Sequence, residues 1–224
     1  MITINSRLAS PNLKIGKSLV RLIQGFIYRY LPDAEHEGYR HEPSGKIFKR
    51  TNFDFLLNGA DLRVRFTSYE PEFEKIIALA ALKDGLNLGK IHTLDTTVAV
   101  GEHRITQSKA RLQGCVICSV QGLLGHKVYL EPQDSRHLEM MKTNALQRFE
   151  TLSGRRYDGE FELNLLRQDL EKPLYFYYGN NQTPAKAWPA VWDIKALPEL
   201  INIMLDAGVG GGCMNCGAGF LEAI

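Results

Sequence analysis

Apolar and polar positions along this chain switch several times between a period of two and a period near 3.6, and the order of the switches predicts the fold. Ile2 and Ile4 alternate in an opening strand. Residues 17–30 then carry a helical stripe of Leu19, Leu22, Ile23, Phe26, Ile27 and Tyr30. At about 100° per residue, Tyr28 lies nearly opposite the centre of that stripe and about 20° from Arg21, which assigns it to the polar face. Pro32 and Asp33 end the helix, and a polar loop with His36 and His41 leads to a strand at 46–50. From Asp61 a second strand sets Leu62, Val64 and Phe66 against Arg63 and Arg65. Pro71 opens a helix through Phe73, Ile76, Ile77 and Ala80, Gly85 ends it, and a strand at about 89–100 closes the first half.

The second half repeats this order. Val116, Cys118 and Val120 alternate in a strand, and a short strand follows at 127–130. A helix over about 134–152 turns Leu138, Met141, Ala145 and Phe149 inward, and strands follow at 161–167 and across the aromatic run 175–192. Pro198 opens a helix with Leu200, Ile201, Met204 and Leu205, Gly208 closes it, and 220–224 form the last strand. Each half therefore reads strand, helix, strand, strand, helix, strand. This predicts an α+β fold of two tandem ferredoxin-like (βαββαβ), RRM-like domains at 1–110 and 111–224. No residue-level repeat links the halves, so the duplication is one of element order.

A length of 224 residues suits two domains of about 100 residues each. No apolar run approaches the ~18 residues that span a bilayer, and the start of the chain has no signal-peptide apolar region. The expectation is a cytoplasmic protein with no membrane partner. Charge is balanced overall but unevenly placed: eleven Lys/Arg face six acids in 1–65, while eleven face thirteen from Arg111 onward. A polyanion would meet the N-terminal third first, although a merely solvated basic face has the same composition.

Candidate chemistry gathers in four places. His36 and His41 can exchange protons near neutral pH, and Tyr28, Lys46, Lys49 and Arg50 bring a phenol and cations to the same end of the domain. Cys115-Val-Ile-Cys118 and Cys213-Met-Asn-Cys216 have the count and spacing of a Cys₄ zinc site. On a strand, however, i and i+3 point to opposite faces, which favours reduced thiols over a metal. A glycine-rich run over 206–220 could offer main-chain N–H groups to phosphate or be a flexible turn, and it is no Walker A loop, since no Lys-Ser/Thr follows it. Tyr175, Phe176, Tyr177, Tyr178, Trp188 and Trp192 suit a core better than a base-stacking platform.

These residues resemble a known family. LDAGVGGGCMNCGAGF is similar to the glycine-rich signature of the CRISPR-associated endoribonucleases that cut precursor CRISPR RNA within its repeats, the Cas-six family; its paired G-x-G elements fall at Gly208, Gly210, Gly217 and Gly219. LIQGFIYRYL, HEGY and GKIFKRTNF look like that family's first helix, histidine loop and next strand, and VYLEPQD looks like the start of its second domain. The resemblance implies a metal-independent cleavage without cofactor, in which a ribose 2′-hydroxyl attacks the adjacent phosphate to leave a 2′,3′-cyclic phosphate and a 5′-hydroxyl. It places His36 as the catalytic histidine, Tyr28 as a tyrosine sharing its work and Lys49 as a charge-stabilising lysine. RNA contacts are expected from Gly208, Gly210, Gly211, Gly217 and Gly219, and from Arg21, His41, Lys46 and Arg50. His41 is a second candidate for the base. The implied partner is CRISPR repeat RNA, with effector-complex subunits and a homodimer left open. The alternative is a non-catalytic CRISPR-RNA-binding structural subunit of an effector complex.

Overall fold

In the computed structural model the described residues are 1–9, 17–177, 183–210 and 216–224. The first half contains β1 (Ile2–Leu8), α1 (Lys17–Arg29), α2 (Asp33–Glu37), β2 (Tyr39–Arg40), β3 (Ile47–Phe48), β4 (Thr51–Asn58), β5 (Asp61–Ser68), α3 (Pro71–Asp84) and β6 (Thr93–Val100). Its sheet is antiparallel in the order β4-β5-β1-β6. That order is the ferredoxin-like one, the last strand joining the first at one edge. Alternation drives it: Ile2, Ile4, Leu62, Val64 and Phe66 are buried on one face, under Ile23, Phe26 and Ile27 of α1 and Ile77 of α3. Each of these fully buried side chains contributes about 1.5–3 kcal/mol relative to exposure.

One expected strand is displaced. The run 46–50 supplies only the two-residue β3, which pairs with β2 as a separate small ribbon, while the sheet strand is β4. The two-residue turn Gly59-Ala60 joins β4 to β5, with Gly59 at φ +61° in the first central position, where a hairpin turn favours glycine. The expected exposed histidine loop is also corrected. His36 rides on the short helix α2, and His41 is buried.

The second half contains β7 (Lys109–Cys115), β8 (Ser119–Gln121), β9 (Lys127–Tyr129), α4 (Ser135–Ser153), β10 (Glu162–Gln168), β11 (Leu174–Phe176), β12 (Ala185–Ala187), β13 (Pro189–Lys195), α5 (Pro198–Ala207) and β14 (Leu221–Ala223). Its antiparallel sheet runs β10-β13-β7-β14, a second ferredoxin-like order, and the pairs β8–β9 and β11–β12 are inserted ribbons. The first strand is thus β7 rather than the alternating run at 116–120. Val116 and Cys118 enter the second core while Ile117 enters the first, so the alternation marks a connector threaded between two cores. Trp188 and Trp192 are buried as expected of core, Tyr175 is exposed, and Tyr178 lies outside the described residues.

The two halves share apolar packing. Ile117, Ala185, Ala187, Cys216 and Ala218 of the second half belong to the core cluster of the first. Such a shared core holds domains in one orientation, where a small polar contact would leave them mobile. Among the described residues no helix is long and apolar enough to cross a membrane.

His137 on α4 is wholly buried, and its Nδ1–H donates to the Leu130 carbonyl at 3.0 Å. Burial pushes its pKa below the ordinary 6.5. The unfolded chain therefore takes up the proton first as pH falls. Stability should be fully present above about 6.5 and decline below it, by at most about 1.4 kcal/mol per pH unit from this one group. Denaturant titrations at pH 7.5 and pH 5 should show a smaller acid loss for His137→Gln than for wild type, and parallel losses would refute the assignment.

Candidate active site

The arrangement around His36 begins with a buried carboxylate. Glu35, one residue earlier on α2, has no solvent exposure, and its Oε1 accepts from Arg50 Nε (2.9 Å), Arg50 Nη2 (2.6 Å) and the Tyr39 hydroxyl (2.7 Å). Arg50 also donates to Glu70 at 2.9 Å and lies between the rings of Tyr39 and Phe73. Burial, reinforced by Glu35, pushes the Tyr39 phenol up to about 12, so it remains a donor. This network fixes α2 by its inner face and turns His36 outward. It also engages Arg50, expected at the RNA surface, inside the protein.

His36 is exposed, and its Nε2 lies 2.7 Å from the Tyr28 carbonyl. A carbonyl only accepts, so Nε2 carries the proton, and in the neutral ring Nδ1 keeps a lone pair for a substrate proton. The Tyr28 ring is 5.1 Å from the imidazole. Tyr28 itself is half-buried against the first core and hydrogen-bonded to the Thr51 side chain, which corrects its placement on a solvent-facing polar face. Burial raises its pKa, so the phenol stays protonated at neutral pH. Lys49 Nζ sits 5.5 Å from the centre of the Tyr28 ring and donates to the Glu35 carbonyl (2.7 Å) and to the His36 carbonyl. It thereby caps the end of α2, with its pKa lowered by burial. The three expected catalytic side chains are therefore gathered at one point.

His41 belongs elsewhere. It is buried, with Nδ1 at 2.7 Å from the Ser44 hydroxyl and Nε2 at 3.2 Å from Glu150 of α4. Lys46 is exposed and donates to Gln147 of α4 at 3.0 Å, and Arg21 is exposed on α1. The β2–β3 ribbon is thus fastened to the second half.

The glycine run begins where α5 ends. Gly208 (φ +78°), Gly210 (φ +156°), Gly217 (φ +91°) and Gly219 (φ +73°) all hold left-handed or related conformations that favour glycine, while Gly211 and Cys213 lie outside the described residues. A Cβ on Gly217 would meet the Phe55 ring of β4 at 3.4 Å, an ordinary contact, so it is the φ of +91° rather than space that favours glycine here. Two N–H groups expected to face phosphate are engaged within the protein: Gly210 donates to Asn144 Oδ1 (3.0 Å) and Gly219 to the Cys115 carbonyl (2.8 Å). Cys118 packs in the second core while Cys115 and Cys216 pack with the first, and among the described residues no cluster of three metal-ligating groups includes a cysteine. Burial pushes the Cys115 thiol up to about 12, so it is a protonated thiol at neutral pH.

Several residues of the site carry no motif. Glu35 and Asn144 act through partners distant in sequence. Arg65 pairs with Asp54 at 2.8 Å in its own half and with Glu222 of β14 in the other, across a cleft of about 760 Å³. Asp54, Asp169, Glu171 and Glu222 outnumber Arg65 and Arg167 along that cleft, which makes it a poor seat for a polyanion. Arg148 is buried on α4. It did leave a signal, since three residues beyond Ala145 it falls on the apolar stripe of its helix.

Two tandem ferredoxin-like domains, with the β2–β3 ribbon of the first fastened to α4 of the second, define a class of double-domain α+β folds. Residues 115–223 match the family described as CRISPR associated protein Cas6, C-terminal. Among solved structures, that of a Cas6-related gene from Pyrococcus furiosus is 15% identical with a TM-score of 0.74, covering 100% of this chain and 98% of that one. An RAMP protein binding different RNA substrates is 15% identical with a TM-score of 0.71, covering 100% of both chains. A Cas6 product complex is 16% identical with a TM-score of 0.65, covering 100% of this chain and 99% of the other. No curated protein matches in sequence. Residues 115–223 thus carry the C-terminal Cas6 match, and the whole chain shares its fold with these solved structures.

Proposed function

We propose that this protein is a metal-independent endoribonuclease that cuts precursor CRISPR RNA within its repeats. The observation that carries this reading is the exposed His36 imidazole, its Nε2 proton held by the Tyr28 carbonyl and its Nδ1 left to act as base. His36 takes the 2′-hydroxyl proton as that oxygen attacks the adjacent phosphorus. The imidazolium so formed returns that proton to the 5′-oxygen as the P–O5′ bond breaks, so the products are a 2′,3′-cyclic phosphate and a 5′-hydroxyl and His36 is regenerated. Lys49, a cation at the end of α2, stabilises the extra charge on the pentacoordinate phosphorus through space, and Tyr28 orders both neighbours while keeping its own proton. Exposed Lys46 and Arg21, within the basic N-terminal third, supply phosphate contacts, so affinity falls steeply with salt.

The decisive experiment incubates the protein with cognate repeat RNA in chelator and determines the ends. Cyclic phosphate and 5′-hydroxyl ends are expected. Cleavage that needs a divalent ion, or that leaves 5′-phosphates, would overturn the mechanism. RNA that is bound and stays intact would instead assign the chain to a non-catalytic RNA-binding role.

A further inference from the structure

Arg148 is the largest polar side chain buried in the molecule, 2% exposed, and its position is unusual for a charge. Among the described residues no carboxylate pairs with it, and its Nε has no hydrogen-bond partner. Its Nη1 donates to two main-chain carbonyls from different halves of the protein: Lys49 at 3.0 Å and Ala207 at 2.6 Å. The guanidinium also lies over the ring of Phe48, 5.0 Å from its centre. Burial pushes its pKa down to about 9, so it is still protonated at neutral pH. A buried cation without a counter-ion is costly to keep, so a purely cohesive role would be filled better by an apolar side chain.

What the charge does follows from what its two acceptors are. Ala207 is the last residue of α5 and immediately precedes Gly208, where the glycine run starts. Lys49 carries the ammonium that holds the Glu35 and His36 carbonyls. One nitrogen of one guanidinium thus ties the segment between β3 and β4 that bears Lys49, and through it α2 and His36, to the origin of the glycine run. Asn144, four residues earlier and so on the same helix face, holds the Gly210 N–H at 3.0 Å. His41–Glu150 and Lys46–Gln147 fasten the same β2–β3 ribbon along the outer edge of α4.

We infer that Arg148 is a positioning residue: helix α4 of the second domain sets the distance between the histidine helix of the first domain and the glycine run, through the two carbonyls Arg148 grips. This rests on the cleavage proposed above. Arg148 is too deeply buried to touch RNA, so it acts on rate through the placement of Lys49 and His36.

The test compares wild type with Arg148→Met and Arg148→Lys in three measurements. These are the single-turnover cleavage rate of repeat RNA, the dissociation constant for the same RNA with a 2′-deoxy nucleotide at the cut, and amide hydrogen exchange of the free protein. Misplacement of catalytic groups by about 1 Å costs on the order of 100-fold in rate, and a loss of roughly that size is expected for Arg148→Met with little change in affinity. Residues 39–49 should exchange faster while 61–68 in the main sheet of the same half stay protected. Arg148→Lys keeps the charge but lacks the planar fork, so it should recover only part of the rate, and it serves if the Met variant does not fold. An unchanged rate, or faster exchange spread evenly over both domains, would overturn the inference and leave Arg148 a stability residue. If wild type binds the RNA without cutting it, the cleavage reading fails, and exchange over 39–49 alone still decides whether Arg148 positions the ribbon.

Discussion

His36→Ala is expected to slow single-turnover cleavage of repeat RNA by about 10²–10⁴-fold, the range that a positioned general acid–base contributes, with RNA affinity nearly unchanged. The side chain is exposed, and among the described residues its one polar contact is to the Tyr28 carbonyl, so its removal leaves no buried side chain unsatisfied. Folding should therefore survive, and the loss should be confined to the chemical step. His41→Ala makes the matched comparison. That imidazole is buried between Ser44 and Glu150, so its removal should lower stability and loosen the β2–β3 ribbon. A His36→Ala protein that cuts at the wild-type rate, beside an inactive but folded His41→Ala protein, would transfer the base to His41.

Arg50→Ala should destabilise the fold by about 3–5 kcal/mol, the cost of leaving a buried charge without its partner. Glu35 has no exposure, and Arg50 supplies two of the three donors to its Oε1; its Oε2 has none among the described residues. Loss of Arg50 leaves the carboxylate with the Tyr39 hydroxyl alone. Arg50→Lys should recover little, because a single ammonium cannot reproduce the fork that meets Glu35 and Glu70 together. The double replacement Glu35→Leu with Arg50→Met should regain much of the stability, since it removes both charges at once. Urea denaturation at neutral pH measures all four proteins. A loss below about 1 kcal/mol for Arg50→Ala would class the pair with surface ion pairs and detach it from the placement of α2.

The two effects separate chemistry from scaffolding within a few residues of chain. Glu35 and His36 are neighbours on α2, yet one points into the core and the other into solvent. A short helix with alternate positions anchored and free is what allows a single imidazole to be exposed and still held. Lys49 contributes to both functions, since its ammonium caps α2 and places positive charge beside the imidazole.

Much of this was legible in the chain. Alternation at Ile2 and Ile4, the stripe from Leu19 to Ile27, and Pro71, Gly85, Pro198 and Gly208 at helix ends mark elements that local backbone preference and one apolar face define, and these stand where they were predicted. The glycine run and the His36 segment were also visible, because unusual composition and reactive side chains show without coordinates. Three readings failed for one shared reason. The alternation at 116–118 belongs to two cores, His41 is covered by α4, and the polar-face Tyr28 packs against Thr51 and the first core. In each case periodicity along one element gave the direction of a side chain but not what another element brings up against it.

The sequence by itself determined the succession of elements, the doubled ferredoxin-like order and the residue types available for proton transfer, since these follow from local periodicity and side-chain chemistry. Tertiary structure alone decided which histidine is exposed, that Arg50 serves Glu35, and that Gly210 and Gly219 donate inside the protein. It also decided that Arg148 reaches the carbonyls of Lys49 and Ala207, at sequence separations of 99 and 59 residues. The physical reason is that burial and hydrogen-bond partnership belong to pairs of segments, and a pair so far apart along the chain exists only once both domains have folded against each other.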